Sequence, residues 1–234
     1  MPVNAETQDA LPVIDVQYRT VDAFLVAYAS RLSKGELFLE TPTPWPLATS
    51  LRLRLNVPET PALELLGTVA WSRPGALGPG QPPGMGITLT TSVDTHGDRI
   101  DELAGRYSRP RILVVAGDPA GRAIILRYLQ SLMSCEIVDT DSNDLETQGA
   151  HTLEVAVIDF DSPGRNVEAL LGILKGKSSG RPDIPVLALA QLERDRTRAA
   201  QLGVDDVLPN PPSFEELQAA VMFAISRPTS WTSS

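Results

Sequence analysis

The feature that most constrains this chain is a change of pattern at Arg111, after which short apolar runs alternate with longer segments of helical spacing. Ile112–Val115, Glu136–Val138, Val155–Asp159, Val186–Ala190 and Asp206–Leu208 read as strands, and 120–133, about 143–150, 166–177, 192–202 and 213–226 read as helices. The central runs are continuously apolar, as in strands that helices cover on both faces, and lack the alternation of a sheet with one wet face. Five βα units of this kind predict a doubly wound parallel sheet, with any ligand site at the carboxyl ends of its strands.

The half before Arg111 reads differently. Apolar segments recur between turn formers at Val13–Arg19, Glu36–Thr41, Ser50–Val57, Leu63–Trp71 and Met85–Leu89. Leu51, Leu53 and Leu55 alternate with Arg52 and Arg54, the period of a strand with one buried and one solvated face. Proline lacks the ladder donor, so RPGALGPGQPPG at 73–84 is expected to be a hairpin loop. Ile100, Leu103, Ala104 and Tyr107 then fall at helical spacing, which predicts a closing helix over 94–107. The expectation is two domains: an all-β domain with a closing helix at 11–107, an α/β domain at 110–226, and a frayed tail at 227–234.

Charge and composition remove several classes of function. The net charge of −9 gives no basic surface with which to neutralise the phosphates of nucleic acid or an anionic membrane. No apolar run approaches the roughly 20 residues of a membrane span, so no membrane insertion is expected. The opening MPVNAETQDA lacks the basic and apolar regions of a signal peptide, so the expected location is cytoplasmic. A single cysteine, Cys135, and two histidines, His96 and His151, form no cluster with zinc-ligand spacing. With no Ser/His/Asp set and no phosphate loop either, neither a metal, a cofactor nor an enzymatic activity is expected.

Particular residues carry two family resemblances. Leu11 to Thr90 resembles PilZ domains, in the variant subfamily of social gliding bacteria, through VIDVQY (13–18), Phe24, ASRLSKGELFL (29–39), GTVAW (67–71) and GMGI (84–87). That resemblance implies a β-barrel. Members that bind cyclic di-GMP use an RxxxR arm to clamp phosphates and a D/N-x-S-x-x-G turn to meet the base. In this chain no arginine precedes Arg19, and the turn reads Arg31-Leu32-Ser33-Lys34-Gly35-Glu36. Ser33 is kept, but Arg31 stands where Asp or Asn belongs, and Glu36 stands where the closing glycine belongs. With Ser33 and Gly35 serving a tight turn and Glu36 opposing a dianion, cyclic di-GMP binding is not expected. Arg19, Arg31 and Lys34 leave open a makeshift anion site.

Residues 110 to 226 resemble the receiver domains of response regulators along their whole length, from RPRILVVAGDPAGR (109–122) through VAVIDFDSPG (155–164) to PNPP (209–212). The resemblance implies a flavodoxin-like (βα)5 fold and places Asp159 at the phosphoacceptor. The acidic pair that would hold Mg²⁺ falls on Ala116 and Gly117, with Asp118 displaced by one position. The hydroxyl position falls on Ala190 and the lysine position on Asn210. Such a site lacks both metal ligation and charge compensation for an incoming phosphoryl group.

The resulting expectation is a noncatalytic signalling scaffold or adaptor that works through protein partners, with motility or cell polarity implied by the PilZ resemblance. The alternatives are an atypical cyclic di-GMP effector and a phosphorylatable response regulator. A candidate interface is Leu126 with Met133, seven residues apart on the helix predicted over 120–133. They lie about 100° around the axis from the Ile125–Leu132 stripe that would face the sheet.

Overall fold

The computed structural model describes residues 11–77, 80–138, 153–161, 167–176 and 183–233. The chain forms two compact units, Met1–Tyr107 with Ser226–Ser234, and Ser108–Ile225. It therefore passes from the first unit into the second and back again.

The first unit carries β1 (Val13–Gln17), α1 (Val21–Ser30), a 3-10 turn (Leu32–Lys34), β2 (Glu36–Glu40), β3 (Ser50–Asn56), β4 (Leu63–Arg73) and β5 (Gly84–Leu89). A second 3-10 turn (Val93–His96) and α2 (Gly97–Ala104) follow. The sheet is six-stranded, in the order β11-β1-β3-β4-β5-β2, where β11 is Ser230–Ser233. It is mixed, since β1 runs parallel to β3 while the remaining pairs are antiparallel. Ile14, Val16, Leu51, Leu53, Leu55, Leu65 and Ile87 fill the core from its inner face. The alternation read in β3 is realised, with Arg54 on the other face donating to Asp15 at 3.2 Å.

Two expectations for this half are corrected. It is not all-β, because VDAFLVAYAS forms α1. Thr20 caps it by accepting from the Ala23 amide at 3.0 Å, Asp22 lies in its first turn, and Phe24 and Ala27 enter the core. The segment is apolar nearly all round, so it shows no helical period, and its start is marked only by the Thr20 cap. The tail is not frayed either, since Ser230–Ser233 pairs antiparallel with β1. The two edge strands are bridged in turn: the Trp231 indole N–H donates to the Glu40 carbonyl at 2.8 Å, and Arg227 pairs with the Glu40 carboxylate at 3.5 Å.

Tyr18 packs edge-on against Phe24 at 5.4 Å and is 3% exposed, yet its hydroxyl has no hydrogen-bond partner among the described residues. Burial pushes its pKa up, because the phenolate would have to form out of water. Tyr18→Phe removes an unsatisfied polar atom and little volume, so the variant should be as stable as the parent or gain about 1 kcal/mol in urea denaturation. A loss above about 1 kcal/mol would mean that the hydroxyl has a partner after all.

The second unit carries β6 (Arg111–Val115), α3 (Pro119–Leu132), β7 (Glu136–Val138), β8 (Leu153–Asp159), α4 (Val167–Leu174), β9 (Val186–Leu189), α5 (Glu193–Gln201), β10 (Asp206–Leu208) and α6 (Phe214–Ser226). The helix expected at about 143–150 lies outside the described residues. All the strand pairs are parallel and the order is β10-β9-β8-β6-β7. In chain order this is 2-1-3-4-5, the flavodoxin-like doubly wound arrangement, whose switch point lies between β6 and β8. β8 and β9 are buried at every position, as the apolar runs Val155–Ile158 and Val186–Leu189 predicted, and β8 also buries Glu154 and Asp159.

Leu126 lies on α3, which ends at Leu132, and Met133 is its C-cap in extended backbone (φ −157°, ψ 160°), its amide donating to the Leu129 carbonyl. Both side chains are half-buried. Ile125 and Leu129 are the fully buried residues of the stripe, and Tyr128 packs edge-on against Phe214 of α6 at 5.5 Å. No helix among the described residues is long and apolar enough to cross a membrane.

Candidate functional site

The parallel sheet brings Asp159, Asp161 and Asn210 together at the carboxyl ends of β8 and β10. Asp159 closes β8 and is 6% exposed. Its carboxylate accepts from the Asp161 amide at 2.9 Å, from the Gly117 amide at 3.4 Å and from Asn210 Nδ2 at 3.0 Å. The same Asn210 nitrogen donates to Asp161 Oδ2 at 2.9 Å. Asp161 in turn accepts from the Gln191 amide, at 2.9 Å to Oδ2 and 3.1 Å to Oδ1, which ties the β9 end into the same cluster. One neutral amide thus bridges two carboxylates at the position where the receiver resemblance places a lysine.

The remaining expected positions are used structurally. Asp118 is the N-cap of α3, accepts from the Gly121 amide at 2.7 Å, and lines the same cleft as Asp159. Ala116 and Gly117 present no carboxylate. The Ala190 methyl is fully buried and offers no hydroxyl, while its carbonyl accepts from Arg196 Nε at 3.0 Å. Among the described residues no group of three His, Cys, Asp or Glu side chains is placed to hold a metal ion. The cleft above the cluster measures about 690 Å³, lined by Ala120, Gly121, Arg122 and Ile124 on one side and Gln191 and Pro211 on the other.

The loop that carries Asn210 is anchored at its far end. Ser213 accepts from the Glu216 amide at 3.2 Å, and Glu216 accepts from the Ser213 amide at 2.9 Å, a reciprocal capping box at the start of α6. The Ser213 backbone amide, and then the Ser213 hydroxyl, hold the exposed Glu216 carboxyl below its ordinary pKa by hydrogen bonding to it. Sequence reasoning identified Asn210 only as a lost lysine and gave Asp161 no bridging role. The Asp159-x-Asp161 spacing was the available signal, but nothing in the sequence says that both carboxylates converge on one amide.

In the first unit, Arg31 and Glu36 come together where the degenerate turn was expected. Arg31 ends α1, Gly35 closes the 3-10 turn in left-handed backbone (φ 78°), and the Glu36 amide donates to the Arg31 carbonyl at 3.1 Å. Ser33 is exposed. Arg31 and Glu36 line a cavity of about 170 Å³ with Phe38, Trp71, Gly86 and Thr88. Burial lowers the Arg31 pKa and the Glu36 charge opposes that shift. A β-bulge between Val69 and Trp71 turns Trp71 outward over Gly86, where it stacks on Phe38 at 5.5 Å and 16°, with Arg73 at 5.6 Å from both rings.

No protein-family model and no curated protein matches the chain. Solved structures do. The magnesium-bound receiver domain of a sensor histidine kinase from Pseudomonas aeruginosa is 24% identical, with a TM-score of 0.43 over 50% of this chain and 98% of that one. A candidate response regulator from Chloroflexus aurantiacus is 18% identical, with a TM-score of 0.44 over 51% and 100%. A candidate pilus assembly protein from Burkholderia thailandensis is 21% identical, with a TM-score of 0.40 over 50% and 99%.

Proposed function

We propose that this chain is a noncatalytic signalling scaffold whose receiver-like second unit is held in one state by its own side chains and acts through protein contacts. The observation that carries the reading is the Asn210 amide bridging Asp159 and Asp161. Phosphoryl transfer to Asp159 would set further negative oxygens beside two carboxylates, with a neutral amide at the lysine position and Asp118 committed to capping α3. The buried Ala190 methyl gives no hydroxyl that could reorient to report a phosphoryl group. The PilZ-like reading of the first unit rests on its sequence resemblance, and a motility or cell-polarity role follows from that resemblance alone. Glu36 beside Arg31 and the missing arginine arm speak against cyclic di-GMP as its ligand.

Acetyl phosphate, or beryllofluoride with Mg²⁺, should leave the protein without a phosphate-dependent mobility shift and its amide NMR spectrum unchanged. A stoichiometric adduct that disappears in Asp159→Ala would replace this reading with a working response regulator.

A further inference from the structure

We propose that the cavity on the outer face of the first sheet binds a free α-amino acid with an aromatic side chain. The proposal concerns the first unit alone and is independent of the state of the second. Leu37 and Leu39 of β2 enter the core, so strand alternation sets Glu36 and Phe38 on the opposite face. The register then places Glu36 opposite Thr88, and Gly86 of β5 between Phe38 of β2 and Trp71 of β4. The two rings stack across that bare glycine. A Cβ on Gly86 would collide with the indole, and one on Gly84 with the Phe38 ring, so both aromatics occupy space that only glycine leaves. The Arg73 guanidinium, whose Nε donates to the Pro82 carbonyl at 2.8 Å, lies 5.6 Å from both ring centroids. Trp71 is thus a fixed aromatic, held in place although 45% exposed.

Size, charge and wall together select the ligand. The volume of about 170 Å³ lies below the roughly 300–1,000 Å³ of pockets for drug-sized molecules, which suits a single amino acid and not a dinucleotide. The charged lining is one cation and one anion: Arg31, half-buried at the end of α1, and Glu36, whose carboxylate opposes the effect of that burial. A ligand with one charge would be attracted by one of them and repelled by the other, whereas a zwitterion satisfies both. The wall is Trp71, against which a second ring gains the offset or edge contact that aromatic pairs favour. In this arrangement the ligand carboxylate meets the Arg31 guanidinium, the ammonium meets Glu36, the Thr88 hydroxyl bonds to either, and the ring packs on the indole.

The test titrates the full chain with L-phenylalanine, by calorimetry for affinity and by amide NMR for location. The expected result is a Kd below about 1 mM, with shifts at Gly86 and Thr88. Hydrocinnamate, which lacks the ammonium, and phenethylamine, which lacks the carboxylate, should each bind at least tenfold more weakly. Glu36→Gln alters an exposed side chain and should weaken L-phenylalanine at least tenfold, while hydrocinnamate then binds as well as the amino acid or better. Trp71→Ala should abolish binding while the chain remains folded by circular dichroism. No saturable heat with L-phenylalanine, equal binding of the three compounds, shifts confined to other residues, or full binding to a folded Trp71→Ala overturns the proposal. If the tryptophan variant unfolds, Glu36→Gln decides, and affinities unchanged from the parent sink the idea.

Discussion

Asn210→Asp should lower the melting temperature of the second unit by about 10–20 °C. The native amide donates to Asp159 at 3.0 Å and to Asp161 at 2.9 Å, and hydrogen bonds to charged acceptors are each worth about 1.5–3 kcal/mol. The substitution keeps the shape, removes both donors and sets a third carboxylate against the other two. Loss of the bonds with the added repulsion amounts to about 3–5 kcal/mol, as for a broken buried charge pair, and domains of this size lose several degrees per kcal/mol. Asn210→Ala, which loses the bonds without adding charge, should fall between the parent and the aspartate variant. Millimolar Mg²⁺ should restore part of the loss in Asn210→Asp and leave the parent unchanged. A calorimetric scan within about 3 °C of the parent would show that the bridge does not hold the site together.

Gly86→Ala should destabilise the first unit by about 2–3 kcal/mol through a single neighbour. A Cβ on Gly86 would lie 2.0 Å from Trp71 Nε1 and 2.2 Å from Cε2, so the indole must leave its stack on Phe38. Overpacking of this kind costs about 1–3 kcal/mol, and the lost aromatic pair adds about 0.5–1.5 kcal/mol. Because Trp71 is 45% exposed, it has solvent to move into, which keeps the cost below that of a clash in the closed core. In a Trp71→Ala background the same substitution should cost under about 1 kcal/mol, since contacting residues are non-additive. An unchanged cost in that background, by urea denaturation, would move the strain to the backbone of β5.

The parts of the fold that were legible are those in which physics acts locally. The Val155–Ile158 and Val186–Leu189 runs are apolar because both faces of β8 and β9 are covered, and α6 falls within the segment 213–226 that reads as a helix. α1 was missed because a helix buried on most sides has no polar face to create a period. β11 was missed because SWTS carries one apolar side chain, and its pairing with β1 cannot be read from its neighbours. At the site, the residue types showed that Ala116, Gly117 and Ala190, at positions marked by the receiver resemblance, carry no carboxylate or hydroxyl, but not where the neighbouring side chains point. Asp118 points to α3, and Asn210 reaches two carboxylates. Those directions are set by loop backbone, which composition and spacing do not encode.

The return of the chain to the first sheet also sets an order of events during synthesis. β5 ends at Leu89 and β11 begins at Ser230, so a ribosome adding about 5–20 residues per second emits the last strand roughly 7–28 s after the other five. For that interval β1 is a nascent edge, while the whole parallel sheet is still being made. Pairing of β11 with β1 therefore joins residues more than 200 positions apart in sequence, and the sixth strand can be added only after the other five have been made. Chaperone demand and aggregation during expression should concentrate in that window, and fusions that separate β11 from the rest of the chain should prolong it.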